Sequence, residues 1–192
     1  MNTLTINIPP SFKVTPEQFK QLAIANRDVC LERTATGEII IMPPTGGNTG
    51  KRNIEISFQL QAWTRQTNLG VAFDSSTGFC LPNGAYRSPD AAWVSKAKWD
   101  KLTLQQQETF PPLCPDFVIE LRSATDNMEP LRRKMEEYMD NGASLGWLID
   151  PKNKLVEVWR RDRGVEVFDR PTSLSGENIL PGFVLDLSVV FG

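Results

Sequence analysis

The chain has 192 residues and no histidine, with 21 Lys and Arg against 23 Asp and Glu. Every chemistry that needs an imidazole is therefore excluded, including Ser-His-Asp hydrolysis, Cys-His nucleophiles, His-ligated zinc and HNH-type sites. Carboxylate, lysine, arginine, tyrosine, hydroxyl and thiol chemistry remain. A chain with 40% hydrophobic and 23% charged residues is expected to form one folded domain over residues 1–192. With a formal net charge of -2, a nucleic acid would have to be held by a local patch or by metal ions. Cys30, Cys80 and Cys114 form no CxxC pair, so neither a zinc ribbon nor a disulfide framework is expected, and a reducing cytoplasm is the expected home. The first ten residues have neither a basic nor an apolar targeting region, and no run approaches ~18 apolar residues, so a soluble chain with no membrane partner is expected.

Residues 1–27 read as a peripheral N-terminal segment, with a short helix after Thr15-Pro16-Glu17. Asp28 to Arg33 and Glu38 to Met42 read as a hairpin, which Pro43-Pro44 stops. From Asn48 to Asn68 apolar residues recur at helical spacing, with Ile54, Ile56, Phe58, Leu60 and Trp63 as the packed set and Gly70 as the stop. Three strands follow at Val71 to Asp74, Gly78 to Leu81 and Ala85 to Val94, the last two joined by the Pro82-Asn83-Gly84 turn. Phe117 to Arg122 is a further strand and Asn127 to Asn141 a second helix. Leu145 to Ile149, Leu155 to Trp159 and Val165 to Phe168 complete one sheet. The pattern predicts an α+β domain.

The loop Gly46-Gly47-Asn48-Thr49-Gly50-Lys51-Arg52 stands between a strand and a helix, as a phosphate loop would. Its glycine spacing is one residue short and Arg52 replaces the magnesium-binding hydroxyl, so a glycine loop that seats the helix close to the sheet is the better reading. Asp90 and Glu120 are more informative. Strand alternation places Ser88, Asp90, Ala92 and Val94 together on one strand, and Val118, Glu120 and Arg122 together on the other, so that the two carboxylates are expected to converge on one face. Glu120 follows an almost unbroken apolar run, the mark of a central strand buried on both sides. Buried acids are rare unless paired or metal-bound, and two on neighbouring strands suit a hard divalent cation such as Mg²⁺. In isolation each would more simply be half of a salt bridge. On the second helix Met128, Leu131, Met135, Tyr138 and Met139 form a stripe bordered by Lys134, whose ammonium could reach that site. Arg132 and Arg133 read as solvated charges.

Taken together, Ser88-Pro89-Asp90, Pro115 to Ser123, Leu131 to Tyr138, Asn141-Gly142-Ala143 and Gly146 to Pro151 resemble the Uma-type "putative restriction endonuclease" family of the PD-(D/E)XK nuclease superfamily. The resemblance spans about Pro43 to Asp186. It implies a restriction-endonuclease-like fold, with a mixed central sheet flanked by helices, and Mg²⁺-dependent cleavage of phosphodiester bonds in DNA, with Mn²⁺ as a substitute. Asp90 and Glu120 match the motif acids. The motif lysine position holds Arg122, which can stabilise negative charge but does not lose its proton. Lys134 on the following helix fits the migrated lysine, Glu55 resembles an extra metal-binding acid of the first helix, and the family pattern suggests a homodimer.

Two other classes stay open. A nuclease-fold binding module that has lost catalysis would keep the fold without metal or cleavage. A two-carboxylate glycosidase would need aromatic platforms, for which Trp93, Trp99, Trp147 and Trp159 are the candidates. Basic residues around Trp159-Arg160-Arg161-Asp162-Arg163 and at Lys96, Lys98 and Lys101 could contact phosphates, against a simpler reading as solvated surface charges.

Overall fold

The computed structural model describes residues 11–192, and the expectation for the first ten residues lies outside them. Helix α1 (Pro16–Ala25) starts with a capping box between Thr15 and Gln18 and buries Phe19. Strands β1 (Cys30–Arg33) and β2 (Ile39–Met42) pair as the expected hairpin. Helix α2 (Gly47–Thr67) follows, then β3 (Gly70–Asp74), β4 (Phe79–Cys80), β5 (Tyr86–Arg87) and β6 (Ala91–Ser95). Short helices α3 (Lys96–Trp99) and α4 (Leu104–Gln107) lead to β7 (Phe117–Leu121), α5 (Met128–Asp140), β8 (Leu145–Asp150), β9 (Leu155–Arg160) and β10 (Gly164–Asp169). The chain closes with β11 (Ser173–Ser175), β12 (Val184–Asp186) and α6 (Ser188–Phe191). Among the described residues no helix is long and apolar enough to cross a membrane.

The strands form three sheets where the sequence suggested one. The large sheet has the order β10-β9-β8-β7-β6-β3, the small one β2-β1-β5-β4, and β11 pairs with β12. Only β7 and β8 run parallel, joined through α5, so the central sheet is mixed. One of its faces packs Trp93, Phe117, Ile119, Trp147 and Ile149 against Ile56, Leu60 and Trp63 of α2 and against the C-terminal segment. The opposite face packs Ala92, Val118 and Leu148 against Met135, Tyr138 and Met139 of α5. Phe19 of α1 packs with Tyr86 and Phe110 over the small sheet.

Several sequence expectations are corrected. The single strand expected over Ala85 to Val94 is two strands in different sheets, broken at Ser88-Pro89-Asp90. Pro89 has no N–H to give a ladder, so the chain leaves one sheet there and enters the next. Helix α2 is ended by Asn68, which takes the left-handed conformation at φ 54° and returns its N–H to Thr64. Asparagine tolerates that region. Gly70 serves instead where the first residue of β3 crosses close to β6, since a Cβ there would strike the Val94 carbonyl and the Trp93 ring. Ile54 and Phe58 are 69% and 66% exposed, because α2 turns only the Ile56, Leu60 and Trp63 face to the core. A Cβ at Gly46 or Gly47 would meet nothing within 4 Å, so close packing does not explain that loop.

Candidate active site

The site forms where the small sheet hands the chain to the large one. The antiparallel pairing of β6 and β7 sets Ala91 opposite Ile119 and Ala92 opposite Val118. One step further along this register stand Asp90 and Glu120, and cross-strand partners share a face. Asp90 is fixed by two donors, the Leu121 N–H at 2.7 Å on Oδ2 and the Asn53 side-chain amide at 3.0 Å on Oδ1. Burial pushes its carboxyl above the usual range, against those bonds and the charge of Lys134. Glu120 is 4% exposed near the C-terminal end of a fully buried strand. Its Oε1 accepts the Tyr138 hydroxyl at 3.0 Å and the Lys134 ammonium at 2.8 Å. Burial, helped by the charges of Asp90 and Glu32 and opposed by Lys134, pushes Glu120 up to about 7.

Lys134 reaches this face because α5 sits low on the sheet. Gly146 leaves the room: a Cβ there would lie 2.5 Å from the Met135 methyl and 2.9 Å from that of Met139. The three ammonium hydrogens of Lys134 have three acceptors, Glu120 Oε1 at 2.8 Å, Glu32 Oε1 at 2.9 Å and the Ser88 carbonyl at 3.2 Å. Although burial alone would lower it, the charges of Glu120 and Glu32 hold its pKa above the ordinary lysine value. Lys134 is therefore a fixed cation and not a proton acceptor at neutral pH.

Glu32 carries no sequence signal that singled it out. It is 2% exposed on β1, and besides Lys134 it takes the Ser88 N–H at 2.8 Å and Arg87 Nη1 at 3.0 Å. Its pKa stays low because Lys134 and Arg87 outweigh burial. Arg87 also meets Glu137 Oε2 at 2.5 Å. Four carboxylates, of Glu32, Asp90, Glu120 and Glu137, thus stand around two cations, Lys134 and Arg87, an excess of two negative charges only when Asp90 and Glu120 are both ionised.

The remaining candidates lie elsewhere. Arg122 donates Nη1 to Asp150 at 2.8 Å and Nε to the Asp126 carbonyl at 3.1 Å, turning to the ends of β7 and β8 and away from Glu120. Glu55 accepts from Gln59, whose amide also bonds the Asp186 carbonyl. At ~100° per residue it faces nearly opposite to Asn53, so α2 presents Asn53, not Glu55, to Asp90. Arg132 is not simply solvated, since it holds buried Glu157 at 2.6 Å. Arg160 pairs with Glu166 and Glu177, Arg161 bonds the Ala143 and Gly142 carbonyls, and Lys96 and Lys98 pair with Asp100 and Asp116. Arg160, Arg161, Lys96 and Lys98 are thus already paired, Lys96 in an exposed surface pair with Asp100. Trp93, Trp147 and Trp159 are buried, which removes three of the four aromatic platforms a sugar site would use.

The donor chemistry fits a hard divalent cation. Asp90 and Glu120 offer carboxylate oxygens, Glu120 Oε2 takes no hydrogen bond among the described residues, and ionising both acids leaves two negative charges that one such ion would balance. Among the described residues no three Asp, Glu or Cys side chains converge to hold a metal, so any further oxygen must come from another kind of group.

This architecture, a mixed sheet between helices with paired acids and a lysine at the end of two central strands, defines a nuclease-like fold. The model of the Uma2 family, described as "Putative restriction endonuclease", matches residues 16–188. The chain belongs to that family. None of the curated proteins matches it. Among solved structures it is similar to a putative nuclease belonging to DUF820 from Anabaena variabilis ATCC 29413, with a TM-score of 0.77 at 20% identity, covering 93% of this chain and 97% of the other. That likeness carries the fold.

Proposed function

We propose that the protein is an Mg²⁺-dependent endonuclease that hydrolyses phosphodiester bonds of DNA through Asp90, Glu120 and Lys134. The observation that carries this reading is the buried juxtaposition of two acids with raised pKa and one permanently charged lysine, a cluster left with excess negative charge when both acids are ionised. Asp90 and Glu120 would hold the ion, which when bound polarises the scissile phosphate and eases deprotonation of water. The backbone N–H of Leu121 and the Asn53 amide fix the Asp90 carboxylate, while Tyr138 and Lys134 fix that of Glu120. Lys134 supplies a preorganised positive charge for the phosphate oxygens as charge builds on them, and orients the attacking water once an acid releases one of its N–H groups. Arg122, committed to Asp150, acts on the strand ends and not on the phosphate.

Plasmid nicking tests this directly. The wild-type protein is expected to relax supercoiled plasmid with Mg²⁺ and to be silent in EDTA, while Glu120→Gln and Asp90→Asn lose about 10²–10³-fold or more, the scale on which removal of one group that stabilises the transition state acts. Cleavage by Glu120→Gln at the wild-type rate would refute the assignment. One observation favours a second reading, a nuclease-fold module without catalysis: every Lys134 donor already has an acceptor, as in a purely structural ion cluster. That module would give neither cleavage nor heat on titration with Mg²⁺.

A further inference from the structure

The side-chain carbonyl of Asn53, like Glu120 Oε2, has no hydrogen-bond donor among the described residues. The Asn53 amide nitrogen donates to Asp90 Oδ1 at 3.0 Å, but Oδ1 of the same amide is buried without any hydrogen-bond partner among the described residues. Exchanging the two amide atoms would set oxygen against a carboxylate, so the orientation is dictated by Asp90. A buried amide oxygen left unpaired costs on the order of 1–3 kcal/mol, and such an atom inside a polar site calls for a donor or a cation. The two acids next to it make a cation the more fitting occupant. Asp90 and Glu120 provide two oxygen ligands, and no third acid converges with them among the described residues. Hard cations take amide carbonyls alongside carboxylates.

We infer that Asn53 Oδ1 is a ligand of the divalent ion held by Asp90 and Glu120, so that α2 contributes a neutral oxygen to the site. The inference rests on the metal-site reading above. It also gives Asn53 two tasks with separable signatures: its nitrogen holds Asp90 in place, and its oxygen meets the ion. Loss of the whole side chain removes both. Exchange for aspartate removes the donor but keeps, and charges, the oxygen.

Calorimetric titration of the intact protein with Mn²⁺ alone at pH 8, for wild type, Asn53→Ala, Asn53→Asp and Asp90→Asn, separates these possibilities. Asn53→Ala is expected to bind Mn²⁺ at least about tenfold more weakly, the scale seen when a metal site loses a supporting group. Asn53→Asp is expected to bind more tightly than wild type. In EDTA its melting temperature should fall below wild type, because two carboxylates then abut, and Mn²⁺ should restore it. If wild type and Asp90→Asn both give no binding heat, the metal-site reading and this inference fail together. If wild type binds, Asp90→Asn does not, and Asn53→Asp binds more weakly than wild type, only the inference fails, with Asn53 acting solely as a donor to Asp90. Unchanged affinity in Asn53→Ala would overturn it equally.

Discussion

Glu120 is the residue whose environment most conflicts with its charge. Burial first, then Asp90 and Glu32, push it up to about 7 despite Lys134, against an ordinary value of 4.5. Between those pH values the folded protein keeps a proton that the unfolded chain has released, so the metal-free fold loses stability as pH rises through this window. Glutamine imitates the protonated form. In EDTA at pH 8, Glu120→Gln should therefore be more stable than wild type by on the order of 1–3 kcal/mol, and the gap should close below about pH 4.5, as read from thermal unfolding across pH. Equal melting temperatures at pH 8 would contradict the burial argument. A stabilised but inactive variant is what a site that trades stability for function produces.

Arg122 belongs to a different account. Its partner Asp150 is 2% exposed and also accepts from Asn153, so the pair ties the end of β7 to the turn after β8. Removing one member of a buried pair commonly costs about 3–5 kcal/mol. Arg122→Gln should unfold at a markedly lower temperature yet keep wild-type Mn²⁺ affinity while folded; a loss of metal affinity at full stability would instead place Arg122 in the site.

At the scale of elements, the site depends on how closely α5 lies on the sheet and on where the chain changes sheets. Gly146 sets the first. Alanine there meets the mobile ends of Met135 and Met139 and should be absorbed, but valine should push α5 outward, costing about 1–3 kcal/mol and drawing Lys134 and Tyr138 away from Glu120. Comparing cleavage by Gly146→Ala and Gly146→Val, each in its folded range, checks this: full activity in the valine variant would mean that the height of α5 does not matter. Pro89 sets the second. The nearly unbroken apolar run of β7 made its buried acid legible in the sequence, and the methionine stripe of α5 placed Lys134 at its border. Pro89 marked a strand entry in the sequence, but nothing in its flanking residues showed that Tyr86-Arg87 would pair in the small sheet and Ala91 to Ser95 in the large one. Helix α2 was legible as a helix, but not its orientation, since Ile54 and Phe58 put large apolar side chains on the exposed face as well.

Across the whole molecule, the site joins parts of the chain that local pattern cannot connect. Glu32 sits in a four-residue strand and meets Arg87, 55 residues on, and then Lys134. No periodicity in so short a strand marks it, and only the pairing of β1 with β5 carries it to the large sheet. Asn53 was likewise unmarked, because a neutral side chain in a polar helix start looks like solvated surface. The absence of histidine takes on its meaning at this scale. With Lys134 held charged and no imidazole in the chain, no group near Glu120 among the described residues is placed to accept a proton at neutral pH except the acids themselves, so the proposed reaction would lean on the proposed ion. A crystal structure with Mn²⁺ introduced, read by anomalous scattering, tests this most directly. The account predicts one ion bound by both Asp90 and Glu120; Mn²⁺ bound at other sites with none between these two carboxylates would contradict it.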